Sequence, residues 1–459
     1  MQVYNDINGR RLSILILSVN VPFPPDDGGK ICVFGFIDYL RRCHDFTLFI
    51  PSFSVTNSLL INKLKIEWPD VRIEYIEFFS REEIIGPPQR KKTLSLRILN
   101  RVIRKLQSYA EKISVRTINE VAKEIENKPD ENELFFNRYF NSPTNPYPAI
   151  YIQKLKEVLS LSKYDIIQVE LSRNLNLVNV LPKESALVFE QIESRFSVIK
   201  DYSLTKSIDP FLSEYLSSYS ETIEDAFMSR FDAIFALNDA DKAHLTKKFP
   251  SLSVYKSPFG VLDKDIQEAD FYYKPPTYLI FSGHEAHFPN YDALLWYLEE
   301  IHCIVTASNA IKLVVTGRWS ESTKNFLTNK YNNLAFSGFV QDYLSILKNT
   351  IMIVPVRIGG GGIRTKILYA MGNYVPVVST SIGALGINVK DQENIIIADT
   401  AIQYAEAIEN LLSDEILFKK LCLNAYDLIS NNYSQTYTSK LRRKFYEEIS
   451  SRNKYKLLL

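Results

Sequence analysis

Short apolar, β-branched runs alternate along the chain with longer stretches that carry apolar residues at helical spacing, such as Tyr291–Ile301 and Ile402–Leu412. Most of the short runs are continuously apolar, which is typical of parallel strands covered on both faces. The repeated strand–helix order predicts an α/β fold with two doubly wound, Rossmann-like domains. The predicted strands are Leu12–Ser18, Phe46–Ile50, Asp165–Val169, Ala186–Phe189, Ala233–Leu237, Leu252–Lys256, Tyr278–Ser282, Ile311–Thr316, Leu334–Ser337, Thr350–Val356, Val375–Ser379 and Asn394–Ile397.

The break between the two domains falls in a segment without a strong apolar period. Lys264 to Thr277 carries two adjacent prolines, which predicts a linker between a first domain (1–265) and a second domain (276–434). The remaining residues, 435–459, begin as a charged amphipathic helix that we expect to pack at the domain junction. Open α/β sheets bind ligands at the carboxyl ends of their strands, so the two domains predict a ligand-binding cleft between them.

A charged helical insertion, residues 81–148, interrupts the first domain. A basic amphipathic helix within it, 90–105, could lie on an anionic membrane or hold a phosphorylated lipid. Either role would make the protein peripheral to the inner face of the cell membrane. A solvated helix that packs its apolar side on the domain is the more common alternative. The basic residues of this stretch are Arg90, Lys91, Lys92, Arg97, Arg101, Arg104 and Lys105.

Composition narrows the classes of function. The 459 residues are 23% charged and 46% hydrophobic, the profile of a globular protein long enough for two cores. The formal net charge of +1 provides no protein-wide field, and we expect no nucleic-acid partner. Four scattered cysteines suit a reducing cytoplasm. The apolar run Leu12 to Leu17 is too short for a signal core, and no segment reaches the roughly 20 apolar residues that span a bilayer.

The strongest chemical signal is Ile351–Tyr369, IMIVPVRIGGGGIRTKILY. A buried strand is followed by four glycines, and a helix is predicted to begin near Ile363. Without Cβ atoms the backbone can approach a ligand closely, and free N–H groups at a helix start favour an anion. Three cations, Arg357, Arg364 and Lys366, lie nearby. We therefore expect a diphosphate site, although neither standard phosphate fingerprint is present and a flexible surface loop is the alternative.

A second strand–loop–helix junction opens the chain. Val21–Lys30 reads VPFPPDDGGK and precedes a predicted helix over Ile31–Arg42. Prolines stiffen the loop, while Gly28 and Gly29 let its backbone close up beside a ligand. We assign these glycines and Lys30 to the ligand site. Alone the signal is weak, because turns before helices often have this composition, but opposite the glycine run it predicts the other side of the site.

These motifs resemble those of the retaining glycosyltransferases of family four (glycosyl transferases group 1), which have the GT-B fold of two Rossmann-like domains facing a cleft. The loop Pro22–Lys30 resembles their glycine loop, and Ser257–Val261 resembles the turn that ends their first domain. The resemblance is closer in the second domain and covers nearly the whole chain except 81–148. The matching segments there are FSGHEAHFPNYDALLWYLEEI (281–301), LVVTG (313–317), FSGFVQDY (336–343), VPVRIGGGGIRTKILYAMGNYVPVVST (354–380) and Gly383–Gly386.

The resemblance implies transfer of a hexosyl or N-acetylhexosaminyl unit from a UDP- or GDP-linked sugar, without a cofactor or a required metal. The acceptor would be a hydroxyl of a glycan, a lipid-linked saccharide or a glycoprotein of the cell envelope. Phe339 and Val340 would lie against the base, and Arg364 and Lys366 would stabilise the leaving-group charge. The other expected donor-site residues of the second domain are Gly283, Gly317, Arg357, Gly359, Gly360, Gly361, Gly362, Ile363 and Tyr369.

The chain departs from the family at functional positions. The family's two glutamates, the second of which holds the ribose hydroxyls, correspond to Gly361 and Tyr369. A phenol can donate to a ribose oxygen but lacks the two acceptor oxygens of a carboxylate. The family's histidine near the reacting sugar falls at Glu190 and Gln191. Glu190 could deprotonate an acceptor hydroxyl, and a salt-bridged or helix-capping carboxylate is an equal alternative.

The family's arginine and lysine after the first strand of the donor domain are also missing. His284 and Asn290 stand nearby, and we expect Arg364 and Lys366 to supply the charge instead. His284 and His287 are three residues apart, but without a third ligand we interpret them as part of a polar loop rather than a metal site.

Two classes of function follow from these patterns. The glycine run beside three cations favours an active glycosyltransferase, whereas the missing glutamates and histidine favour a non-catalytic subunit that binds a sugar nucleotide or a glycan. A phosphorylase or an epimerase on the same fold is a weaker alternative, because no lysine site for pyridoxal phosphate and no compelling acid cluster is evident.

Overall fold

The computed structural model describes residues 10–52, 55–77, 145–192, 199, 203, 208–267, 271–359 and 362–458. These residues form two parallel β-sheets with helices packed around them, so the predicted α/β fold with two doubly wound domains is confirmed. The basic stretch 90–105 and most of the insertion 81–148 lie outside the described residues, as do Gly360 and Gly361.

The first sheet has seven parallel strands in the order β3-β2-β1-β4-β5-β6-β7. The central strands are almost wholly buried, as their continuous apolar runs predict. Sequence analysis missed β3, an edge strand in which charged residues interrupt the apolar ones. The strands are β1 Ser13–Leu17, β2 Asp45–Ser52, β3 Arg72–Glu77, β4 Ile166–Glu170, β5 Ala186–Gln191, β6 Ala233–Ala236 and β7 Ser253–Lys256.

Five described helices cover this sheet. The first begins at Gly28, earlier than predicted, because the Asp27 carboxylate accepts a hydrogen bond from the Lys30 N–H at 2.9 Å and caps the helix. The helices are α1 Gly28–Leu40, α2 Val55–Glu67, α3 Ala149–Leu161, α4 Pro210–Met228 and α5 Asp239–Lys248, with 3-10 helices at Ser172–Asn179 and Asp263–Asp265.

The second sheet has six parallel strands in the order β10-β9-β8-β11-β12-β13. The strands are β8 Tyr278–Ser282, β9 Lys312–Thr316, β10 Leu334–Gly338, β11 Thr350–Val354, β12 Val377–Ser379 and β13 Ile396–Ile397. The helices are α6 Phe288–Trp296, α7 His302–Ser308, α8 Glu321–Lys330, α9 Thr365–Met371, α10 Ala401–Ser413 and α11 Glu415–Asn432; a π-helical turn, Tyr297–Ile301, joins α6 to α7, and a 3-10 helix spans Ser345–Leu347.

The last helix, α12 (Gln435–Leu458), follows the second domain but packs against α1 of the first. At its start Gln435 donates to the Gly35 carbonyl at 2.9 Å. The linker contributes as well, since the Asp263 carboxylate accepts from the Thr436 N–H at 3.1 Å. Among the helices of the described residues, none combines the length and apolar composition that crossing a bilayer requires.

Candidate functional site

A cavity of 1380 Å³ lies between the two domains. The loop after β1 lines it from the first domain, and the loops after β8, β9, β10 and β11 line it from the second. Because the strands of each sheet are parallel, all these loops follow the carboxyl ends of strands, where open α/β sheets bind ligands. The cavity is therefore the predicted interdomain cleft.

Two residues of the glycine run, Gly359 and Gly362, form part of one wall of this cavity. Both have left-handed backbone conformations, with φ of 121° and 77°. A side chain would be strained at either position, so the turn depends on glycine. Ile363 also lines the cavity, and α9 begins at Thr365, two residues later than predicted.

Two of the predicted cations face the cavity from this wall. Arg364 donates to the Gly359 carbonyl at 2.9 Å and so lies along the glycine turn. The Lys366 ammonium donates to the Ser282 carbonyl and, at 3.0 Å, to the Asn290 side-chain oxygen. Burial and the neighbouring Arg364 charge lower the pKa of Lys366 to about 7. Both cations line the cavity, which gives this end a positive character.

The first-domain loop closes the same end from the opposite side. Gly28 and Gly29 line the cavity, and a Cβ atom at Gly28 would lie only 3.2 Å from Thr365 Cγ2. The two domains therefore approach each other closely here, and the absence of a side chain at Gly28 permits it.

Lys30, in contrast, is not part of the cavity lining. Its ammonium lies 2.6 Å from an Asp26 oxygen and 3.4 Å from an Asp27 oxygen. The structure thus pairs this cation with the acids of its own loop rather than directing it towards a ligand.

An exposed aromatic surface lines the cavity after β10, three strands away from β11 and the glycine run that follows it. Phe339, 56% exposed, and Val340 follow β10 and line the cavity. The Arg318 guanidinium lies 5.7 Å from the centroid of the Phe339 ring. A flat, partly exposed ring can stack on a nucleotide base.

The loops after β8 and β9 lie close together at Gly283 and Gly317. A Cβ atom at Gly317, where φ is 107°, would lie 2.1 Å from the Gly283 carbonyl oxygen. A Cβ atom at Gly283 would lie 2.5 Å from the Asn290 side chain. Both glycines line the cavity and permit this tight packing, as a site built from backbone requires.

Arg357 does not line the cavity. It is exposed, pairs with Asp292 at 3.0 Å and lies 5.0 Å from the Trp296 ring. Of the three cations beside the glycine run, the structure brings together only Arg364 and Lys366 at the lining.

Glu190 is also absent from the cavity lining within the described residues. Its side chain is completely buried, and both carboxylate oxygens accept from the Arg442 guanidinium of α12, at 2.5 and 2.8 Å. Gln168 donates to it as well, at 2.6 Å. The structure therefore favours the salt-bridged alternative over a base that meets an acceptor hydroxyl.

Tyr369 lines the cavity one helical turn beyond Thr365. Its hydroxyl donates to the Asp265 carboxylate at 3.1 Å, and its ring lies edge-on to Tyr343, with the centroids 6.4 Å apart. Sequence analysis missed Asp265 and Tyr343 as cavity residues. Asp265 lies in a segment interpreted as a linker, and no local pattern distinguishes it from a solvated acid.

His284, in the loop after β8, contacts the loop after β9. The His284 Nδ1 atom accepts from the Arg318 N–H at 3.3 Å. Within the described part of the chain, no group of three or more His, Cys, Asp or Glu side chains could hold a metal ion.

Comparisons with known proteins agree with this geometry. Residues 276–414 match the family model described as Glycosyl transferases group 1. Over 152 residues the chain is 29% identical to an uncharacterized 44.6 kDa protein in the cps region of Klebsiella pneumoniae. That match covers 31% of this chain and 39% of the relative, so the chain matches about two fifths of the relative's length.

The fold is similar to that of solved glycosyltransferase structures over nearly its whole length. Sucrose-phosphate synthase from Thermosynechococcus elongatus superposes with a TM-score of 0.63 at 14% identity, covering 96% of this chain and 100% of that one. A variant of TarM from S. aureus, in complex with fondaparinux, α-GlcNAc-glycerol and UDP, gives 0.62 at 11% identity, covering 95% and 99%. The two Rossmann-like domains thus have the GT-B arrangement, and the second domain is similar to that of the group 1 glycosyl transferases.

Proposed function

We propose that the chain is a glycosyltransferase that moves a sugar from a nucleoside diphosphate sugar to a hydroxyl group. One observation carries the proposal: a single cavity brings together Gly28 and Gly29 of the first domain, Gly359 and Gly362 of the second, and the cations Arg364 and Lys366. Bare backbone gives room for a diphosphate, and the two cations match its charge.

The same cations would stabilise the leaving group during transfer. When the bond between sugar and diphosphate breaks, negative charge increases on the diphosphate. Fixed cations inside a cavity stabilise that charge strongly because little water screens them. Lys366, with its pKa lowered to about 7, would regain its proton as the diphosphate binds, because a nearby negative charge favours the charged amine. We propose that this charge replaces a metal ion.

The donor and the acceptor are part of the proposal. We propose a UDP- or GDP-linked hexosyl or N-acetylhexosaminyl donor; the UDP bound by the S. aureus TarM variant supports the former nucleotide. The relative from a cps region supports a polysaccharide acceptor. We further propose retention of configuration, as in family four, and a cytoplasmic location. Membrane contact through 90–105 stays a prediction, since these residues lie outside the described part of the chain.

The test is donor turnover by the purified protein. UDP- and GDP-sugars are supplied one at a time, with and without a mixed saccharide acceptor, and released nucleotide is measured by chromatography. We expect slow hydrolysis of at least one donor and faster release with an acceptor. The double variant Arg364→Ala with Lys366→Ala should abolish both, because two charge-assisted contacts to the diphosphate are lost.

A matched control removes two charges outside the cavity. Lys419→Ala with Lys420→Ala on α11 changes the net charge equally and should retain turnover. Failure of every donor to bind or react would contradict the proposal. Binding without release of nucleotide would instead support the non-catalytic, sugar-nucleotide-binding alternative.

A further inference from the structure

A carboxylate from the interdomain linker reaches the donor cavity. Asp265 ends the 3-10 helix Asp263–Asp265 and lines the cavity. Its backbone is fixed to the end of α9, because the Asn373 side chain donates to the Asp265 carbonyl at 2.9 Å and the Gln267 N–H donates to the Gly372 carbonyl at 3.1 Å. The linker therefore holds this carboxylate at a defined position on the second domain.

Tyr369 orients that carboxylate. Its hydroxyl donates to Asp265 Oδ2 at 3.1 Å. Burial raises the pKa of the Tyr369 phenol, so the hydroxyl keeps its proton and stays a donor. Among the described residues, the other oxygen, Asp265 Oδ1, accepts no hydrogen bond. The pair thus presents one open acceptor atom and one shared hydroxyl to the cavity.

The position of the pair along the cavity indicates the ligand group that it meets. Tyr369 follows Thr365 by four residues in α9, so both lie on the same helix face, one turn apart. The glycine turn and the cations follow β11, whereas Phe339 and Val340 follow β10, which lies three strands away in the sheet. A nucleoside diphosphate that spans these two groups has its ribose between them.

The remaining carboxylates of the lining accept hydrogen bonds from residues outside the lining. Within the part of the chain that the structure describes, Asp265 differs from these acids because its partner, Tyr369, itself lines the cavity. The pairings of the others are Asp26 with the Lys30 ammonium at 2.6 Å, Asp27 with the Lys30 N–H at 2.9 Å, Glu285 with Thr323 Oγ1 at 2.6 Å, and Asp342 with the Ser345 N–H at 3.2 Å.

We propose that Asp265 accepts hydrogen bonds from the ribose hydroxyls of the bound nucleotide, and that Tyr369 is its positioning residue. This inference rests on the proposed function. A carboxylate can accept from two neighbouring hydroxyls at once, so the linker supplies the acceptor atoms that a phenol at position 369 cannot.

Calorimetry with matched ligands tests the assignment. The protein is titrated with UDP, GDP, the 2′-deoxy form of whichever binds more tightly, and inorganic pyrophosphate. Asp265→Asn should weaken the ribonucleotide about 10-fold to 100-fold, as expected for hydrogen bonds to a charged group. It should also remove the preference for ribose over 2′-deoxyribose and leave pyrophosphate affinity within about twofold. Tyr369→Phe should reduce the preference for ribose to a smaller extent.

Two control variants distinguish a loss of stability from a loss of the contact with ribose. Asp263→Asn, in the same 3-10 helix, removes a carboxylate that faces α12 rather than the cavity; it should lower the melting temperature but keep the preference for ribose. Tyr369→Glu in the Asp265→Asn background returns a carboxylate to the cavity and should restore that preference.

The outcomes separate the two proposals. If Asp265→Asn keeps the full affinity and preference for ribose, the ribose assignment is overturned while the glycosyltransferase proposal stands. If the unaltered protein binds neither nucleotide nor pyrophosphate, both are overturned together.

Discussion

Two clusters of charged side chains lie near the carboxyl ends of the strands, and they differ in whether the protein itself neutralises their charge. In the first, Glu190 and Arg442 are 0% and 2% exposed and pair through two hydrogen bonds. In the second, Arg364 and Lys366 border the interdomain cavity. A charged group that the protein itself neutralises contributes to structure, whereas cations gathered at an open cavity match a ligand of opposite charge.

The first pair, Glu190 with Arg442, is called the closed cluster here, and it connects the C-terminal helix α12 to the first sheet. Arg442 also donates to Ser257 Oγ at 3.0 Å, and its guanidinium lies 4.3 Å from the Phe36 ring. Beside it, burial and the Glu190 charge raise the pKa of Glu170, which favours its neutral form. A neutral Glu170 leaves a single carboxylate, Glu190, facing a single guanidinium.

The substitution with the largest predicted effect disrupts the closed cluster. Glu190→Gln leaves the buried Arg442 charge without its partner and should reduce the free energy of unfolding by about 3–5 kcal/mol. Urea denaturation followed by circular dichroism measures this. The double variant Glu190→Gln with Arg442→Met should recover much of the loss, because no buried charge then remains. Unchanged stability together with lost turnover would return Glu190 to a catalytic role.

A smaller effect, on donor affinity, is expected from titration of Lys366 in the open cluster, which is Arg364 with Lys366. The pKa of Lys366 is lowered to about 7, so the free protein loses this charge as the pH rises above 7. Donor binding favours the protonated amine, and affinity should therefore fall by up to about 10-fold per pH unit between pH 7 and 9. Calorimetry with a nucleoside diphosphate sugar measures this without titration of the ligand's phosphates, because both are esterified.

Lys366→Arg provides the control for that titration. A guanidinium stays charged throughout this range, so the slope between pH 7 and 9 should disappear. An equally steep slope in the variant would show that another group causes the pH dependence.

The smallest predicted effect concerns the approach of the two domains. Gly28→Ala adds a methyl group about 3.2 Å from Thr365 Cγ2, which must shift by a few tenths of an ångström. We expect donor affinity to fall on the order of threefold, because overpacking displaces the facing wall. Gly35→Ala on the same helix meets Leu262 at an ordinary 3.5 Å and should leave affinity unchanged. Equal effects of the two substitutions would argue against a close approach at Gly28.

The fold was predictable because its signals are local. The strand Tyr278–Ser282 has the bounds expected from its apolar run, and the glycine turn lies at the cavity as its composition indicates. The edge strand β3 was missed because only part of it is buried, so its apolar run is broken.

The partners of individual charged side chains were less predictable, because they are distant in the sequence or because several candidates exist. Arg442 lies 252 residues beyond Glu190, and no sequence pattern connects the two. The sequence around Lys30 does contain a signal that was not considered. The nearby acids Asp26 and Asp27 form ion pairs with its ammonium. Asp265 comes from a segment with no regular pattern, and only the folded linker directs it into the cavity.

The most direct test of the central claim is a crystal structure of the protein with the nucleoside diphosphate that it binds most tightly. The diphosphate should lie between Gly28–Gly29 and Gly359–Lys366, within hydrogen-bonding distance of Arg364 and Lys366. A diphosphate bound elsewhere, or a cavity that excludes the ligand at saturating concentration, would contradict the account.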